Sequence, residues 1–238
     1  MMIDTHCHID MFPNPLKEAK EREKEKFLSI TMTNLPSHYE LGYLHLQKFR
    51  YIRMALGLHP LRAKEHKNEY SLFKELLNNT SYIGEVGLDY SREGYETKTI
   101  QNESLRYVFQ NIQNKKKIVS LHSRNSEKDV FALLLEYNIH NAIFHWYSGS
   151  QSTLRKIIEE GYYFSINTAM VKSEKGKKII AAIPPNLILT ETDAPYIDNM
   201  NVKDIYKYLS SIWNFPENQV ENIIYNNFMR IIDTIKSD

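Results

Sequence analysis

His6 and His8 stand one residue apart in the opening stretch MIDTHCHID. In an extended segment, side chains at i and i+2 leave the same face, so the two imidazoles converge on one point that can hold a metal ion. More imidazoles and carboxylates follow at wide intervals: His59 in GLHP, Glu85 in IGEVGLDY, His122 in LHSRNS, His145 in FHWYSGS and Asp193 in TETDAP. Imidazole nitrogen and carboxylate oxygen suit Zn²⁺, Mn²⁺ or Mg²⁺, and the lack of clustered cysteines argues against a structural zinc, so a catalytic site is expected. His6, His8, Glu85, His122, His145 and Asp193 together make a plausible cage for two divalent ions. Two such ions about 3.5–4 Å apart can bind a phosphoryl oxygen, lower the pKa of a water between them and stabilise a leaving oxygen. A carboxylate such as Glu85 can bridge the pair.

Residues so far apart in the chain meet only if rigid elements bring them together. Strand-like runs are expected at 2–8, 27–33, 51–58, 82–86, 118–122, 142–146, 162–167 and 187–190. Helix-like spacing or charge marks 16–26, 36–49, 68–77, 98–115, 127–137, 152–160 and 174–182, followed by terminal helices near 202–213 and 216–235. Strands alternating with helices imply parallel pairing and right-handed crossovers, and eight such units close into a (β/α)8 TIM barrel. An open doubly wound sheet is the alternative, but no glycine-rich phosphate fingerprint follows the first strand. Every candidate ligand falls at or just past the C-terminal end of a strand, the face that carries chemistry in barrels. His38, His45, His66 and His140 fall in or beside helical segments and read as surface or helix-packing residues.

The chain of 238 residues suits one domain over 1–238, with no linker, repeat or low-complexity boundary. With 30 basic against 29 acidic side chains, any surface for nucleic acid must be local. The run KEAKEREKEK at 17–26 reads as a solvated helix face. A single cysteine, Cys7, rules out an internal disulfide and fits a reducing cytoplasm; it should point away from His6 and His8 as a small buried hydrophobe. No apolar run reaches the roughly 20 residues that span a bilayer, and no signal-peptide pattern follows Met1, so a soluble, unexported protein is expected.

The series DTHCHID, GLHP, GEVGLDY, LHSR, HWYSG and TETDAPY, with NNFMRI near the end, resembles the TatD family of metal-dependent deoxyribonucleases, part of the amidohydrolase-like barrel superfamily. The resemblance covers nearly the whole chain with the motifs in order. It implies one ion held by His6, His8, Glu85 and Asp193, a second by Glu85, His122 and His145, and Asp193 as the base that activates water. It also implies DNA as substrate, often degraded from the 3′ end. Trp146 departs from the small residue usual after the sixth-strand histidine, and GEVGLDY from GETGLDY. After TDAPY, IDNMNVKDIY passes almost directly into a helix where relatives carry a longer loop, which bears on substrate length and polarity. Shortened relatives of this kind occur in Qat-type anti-phage cassettes, so protein partners in a defence complex belong to the same expectation.

Other residues take roles from their chemistry. Arg124, two positions past His122, has the planar fork that grips phosphate. Tyr90, Trp146 and Tyr147 can stack a nucleobase. His59 can donate to phosphate or support the ligands, and Glu191 can orient them from behind. Two other functions remain open. One is a metal hydrolase of a small-molecule amide, lactone or phosphoester, which a bridging lysine would favour over Glu85. The other is a docking subunit without activity, which the loss of a ligand would favour; none is lost.

Overall fold

The computed structural model describes residues 1–196 and 201–236. Among these described residues nine strands run parallel: β1 (Ile3–Cys7), β2 (Leu28–Thr31), β3 (Ile52–Met54), β4 (Leu56–Leu58), β5 (Tyr82–Gly87), β6 (Ile118–His122), β7 (Ala142–His145), β8 (Tyr163–Ile166) and β9 (Ile188–Thr190). Around them lie α1 (Pro15–Lys24), α2 (Pro36–Leu46), α3 (His66–Leu76), α4 (Lys98–Ile112), α5 (Glu127–Glu136), α6 (Gln151–Glu159), α7 (Thr168–Lys172), α8 (Glu174–Ala182), α9 (Val202–Trp213) and α10 (Glu217–Asp233). Strand order is β1-β2-β3 in one sheet and β4 through β9 in the other. The two sheets are joined through Ala55, so eight strand positions form the ring of a (β/α)8 barrel. Strands in such a ring are covered on both faces, and β1 is accordingly buried at all five positions.

The expected single strand over 51–58 is broken at Ala55, and the cause is local. Ala55 N still donates to Thr31 O at 2.8 Å, but beyond it Thr33 pairs with β5, exchanging bonds with Gly84 O and Glu85 N at 3.2 Å each. The chain leaving β2 therefore crosses directly over Gly57. A Cβ there would lie 1.6 Å from Thr33 O, so only glycine fits.

Ile3, Ile30, Met32, Ala55, Ile118, Ile143 and Leu189 fill the barrel interior from six strand positions, and Phe228 and Ile231 of α10 pack against them. The larger core lies between the strands and the outer helices. The interior is thus a packed layer, as barrels of eight strands require.

The ring shuts where β9 meets β1. Asp193 N donates to His6 O at 2.9 Å and His8 N to Ala194 O at 2.7 Å. Behind this seam sits the fully buried carboxylate of Asp4, which accepts from Thr192 N (3.0 Å), Thr192 Oγ1 (2.6 Å) and Arg22 Nη1 (2.8 Å). Arg22 belongs to the charged run of α1, yet it is only 5% exposed and also bonds Ser29 Oγ and Glu18. The rest of that run is largely solvated as expected. Cys7 lies in this layer, its thiol against Ile30 O, and burial pushes its pKa well up, so it is inert. Arg22→Met keeps much of the volume but leaves Asp4 buried without its cation. Such a loss costs about 3–5 kcal/mol, to be read as a lower urea midpoint at unchanged slope. A midpoint equal to wild type would show that the bonds from Thr192 and His6 N suffice for Asp4.

Candidate metal centre

His6 and His8 leave the end of β1 with ring centroids 5.2 Å apart, both fully buried. Glu85, on β5, faces them across the barrel mouth. Its Oε2 lies 3.4 Å from His6 Nε2, 3.3 Å from His8 Nε2 and 3.3 Å from His59 Nε2. Its other oxygen, Oε1, lies 2.6 Å from His122 Nδ1 and 3.1 Å from His145 Nε2. Asp193 completes the first side, with Oδ1 3.8 Å from His6 Nε2 and 3.6 Å from His8 Nε2. One carboxylate therefore presents each oxygen to a different group of imidazoles.

Five of these seven separations exceed the usual span of about 2.7–3.2 Å for an N–H···O bond. Two ligand atoms about 2.1 Å from one tetrahedral ion lie about 3.4 Å apart, which matches the spacing around Glu85 Oε2. His6 Nε2 and His8 Nε2 are also buried with no hydrogen-bond partner. Buried polar nitrogens are nearly always paired, so two orphans aimed at two carboxylates fit a cation between them. His6–His8–Asp193, His6–Glu85–His145 and His59–Glu85–His122 each bring their ligand atoms within 4.8 Å of one another. His59, expected to touch phosphate or support ligands, thus stands at ligand distance itself.

Neighbours fix the rings. Ser120 Oγ bonds His6 Nδ1 at 2.8 Å, leaving Nε2 for the centre. Glu191, buried just past β9, lies 3.5 Å from His145 Nδ1 and accepts from Ser165 Oγ and Asn167 Nδ2, the orienting position anticipated for it. Asp89 is the residue that sequence reasoning missed. Its Oδ2 meets His122 Nε2 at 2.7 Å while Oδ1 accepts from Ser91 N at 2.8 Å. The signal available was its place four residues after Glu85, but only the fold brings it under His122.

The electrostatics are those of a crowded anion–imidazole cluster. Burial alone would raise the Glu85 carboxyl, but His59, His145 and His6 hold it well below the usual range. Burial likewise opposes a charge on His145, yet Glu191 and Glu85 raise it well above 6.5. His6, with burial and His145 both against it, falls well below. Asp193 is pushed up to about 7 by burial, against the pull of His145. Asp193 and Trp146 also hold left-handed backbone, φ 52° and 39°, at the two strand ends flanking the site. Non-glycine residues in this region are uncommon and cluster where side chains must be aimed.

A cavity of about 600 Å³ opens over the cage, walled by His59, Arg62, Arg124, Trp146 and Tyr196 among others. Arg124 is exposed and makes no ion pair among the described residues. Two stacking assignments need correction. Tyr147 is buried between Phe144 and Phe164, because its ring fills the layer behind β7 and β8, and its hydroxyl donates to Ser150 O. Tyr90 does not line the cavity; its ring lies under Lys98 Nζ, 4.1 Å from the centroid. The shortened connection after Tyr196 falls at residues 197–200, outside the described residues.

The family described as TatD related DNase matches residues 3–233. The chain belongs to the TatD family. An uncharacterized metal-dependent hydrolase of Methanocaldococcus jannaschii is 28% identical over 94% of both chains. The fission yeast deoxyribonuclease Tat-D of Schizosaccharomyces pombe is 30% identical over 80% of this chain and 66% of its own length. Among solved structures, a TatD homolog from Escherichia coli superposes with a TM-score of 0.85 at 21% identity, covering 98% of this chain and 97% of its own. This TatD-family chain is accordingly an enzyme, a metal-dependent hydrolase on a (β/α)8 barrel. No helix among its described residues is long and apolar enough to cross a membrane.

Proposed function

We propose that the enzyme is a deoxyribonuclease that hydrolyses phosphodiesters at a nucleic-acid end with two divalent ions, working in the reducing cytoplasm. The observation that carries this reading is the split of Glu85, whose two oxygens face separate imidazole groups. His6, His8 and Asp193 with Oε2 would hold one ion, and His122 and His145 with Oε1 the other. Bound there, divalent ions would supply Lewis-acid polarisation of a phosphoryl oxygen and would lower the pKa of water towards neutrality. Asp193, beside the first group, takes the proton of the attacking water as its oxygen bonds to phosphorus. The phosphorus–oxygen bond on the far side breaks in line, and the leaving alkoxide takes a proton from solvent. His6 stays aimed by Ser120, His122 by Asp89 and His145 by Glu191, so the cage is rigid before substrate arrives. Trp146 at the rim offers a face for the terminal base.

Glu85 at the bridging position, where a lysine would favour an amidase, supports the nuclease over a small-molecule hydrolase. The experiment is hydrolysis of end-labelled single-stranded and duplex DNA with Mg²⁺, Mn²⁺ and Zn²⁺ in turn, at matched metal occupancy. Nucleotide release from an end is expected. A metal-filled enzyme that frees no nucleotide from DNA or RNA, yet opens a simple lactone or amide, would overturn the assignment.

The near-neutral charge adds a second expectation. Without a broad basic surface, the enzyme engages only about two to four phosphates, so log K against log[salt] on single strands should slope by about −1.4 to −2.8. Fluorescence anisotropy between 50 and 200 mM salt, as a typical range, measures it. A slope steeper than about −5 would require an extended footprint instead.

A further inference from the structure

Arg62 lies in the 3-10 turn Pro60–Glu65 after β4, and Arg124 lies in the loop after β6; both wall the mouth cavity. Strand order places β5, which carries Glu85, between them. Strand spacing then puts the bases of these two loops about 10 Å apart, one on each flank of the cage. The carboxylates lining the cavity, Glu85, Asp89 and Asp193, are all turned to the imidazoles. Among the described residues, neither guanidinium is neutralised from within the mouth.

Arg62 does have a partner outside it. Its Nε and Nη2 donate to the two oxygens of Glu65 at 2.5 and 2.7 Å. A guanidinium carries five N–H donors, so this fork-to-fork pair leaves three unspent. The side chain remains 42% exposed. Glu65 therefore braces the group at one edge and leaves the opposite edge free, the geometry in which arginine recognises phosphate.

Building on the phosphodiesterase reading, we propose that Arg62 binds the phosphate adjacent to the scissile one, on the flank of the cage opposite Arg124. The substrate strand then crosses the mouth from the Arg62 side to the Arg124 side, with the cleaved linkage between. A nucleic acid with at least three phosphates, the scissile one and a neighbour on each side, is the ligand this arrangement takes, in preference to a compact monoester.

Short oligothymidylates bearing a phosphate at each end, in which one linkage at a time is a neutral methylphosphonate or one terminal phosphate is removed, test this with wild-type enzyme and Arg62→Ala. In the wild type, neutralising the adjacent phosphate on one side should lower kcat/KM about tenfold or more, the scale of a charge-assisted hydrogen bond. In Arg62→Ala that same substitution should cost less than about twofold, while the penalty for neutralising the phosphate on the other side persists. Arg124→Ala should show the converse pattern. Equal penalties at every position in wild type and Arg62→Ala would overturn the role of Arg62 and leave the nuclease standing. No cleavage of any unmodified oligonucleotide by metal-filled wild type would overturn both.

Discussion

Glu85→Gln is expected to reduce turnover by at least about 10³-fold and to lower the metal content of the dialysed enzyme. Removing a group that merely supports a ligand already costs about 10–100-fold in affinity, and Glu85 faces both imidazole groups with one charge. The amide keeps the size and can still accept from His122, so the barrel should fold; circular dichroism and the urea midpoint check this. Metal analysis and nucleotide release from end-labelled DNA are the paired readouts. A Gln variant with full metal content and wild-type turnover would show that the carboxylate between the two groups bridges nothing.

Asp193→Asn separates proton transfer from assembly. Its carboxylate stands beside His6 and His8 and is buried enough to be raised to about 7. Asparagine preserves the shape but accepts no proton, and kcat should drop at least about 10²-fold. Because His6, His8 and Glu85 remain, metal content should fall less than in Glu85→Gln. Near-normal turnover on DNA would move the base elsewhere in the cage.

Much of this was legible from residue order alone. All eight strand positions lie within the segments expected from periodicity except that β5 runs one residue further, to Gly87, and His6, His8, Glu85, His122, His145 and Asp193 converge at one mouth. That works because parallel strands read as apolar runs and because the ligands mark the strand ends. The break at Ala55 was not legible, since it comes from β2 crossing Gly57 to reach β5, a contact between distant segments. Helix α7 escaped because five residues show no period; its Asn167 cap, accepting from Met170 N, was the available sign. Asp89 escaped because its partner is 33 positions away. Tyr147 was misread because an aromatic at a strand end can turn to the rim or to the core, and only the packing of Phe144 and Phe164 decides. Arg22 hid in a charge run, where a solvated lysine and a buried arginine look alike.

The seam at which Asp193 meets His6 gives this enzyme an order of assembly. Polypeptides are made from the N-terminus, so His6, His8, Glu85, His122 and His145 all emerge from the ribosome before Asp193 does. The last anion arrives only when β9 docks on β1 and Thr192 closes on Asp4. A chain made only as far as β9 therefore carries five of the six cage residues without Asp193, the proposed base. The cage is complete only once the final strand shuts the ring.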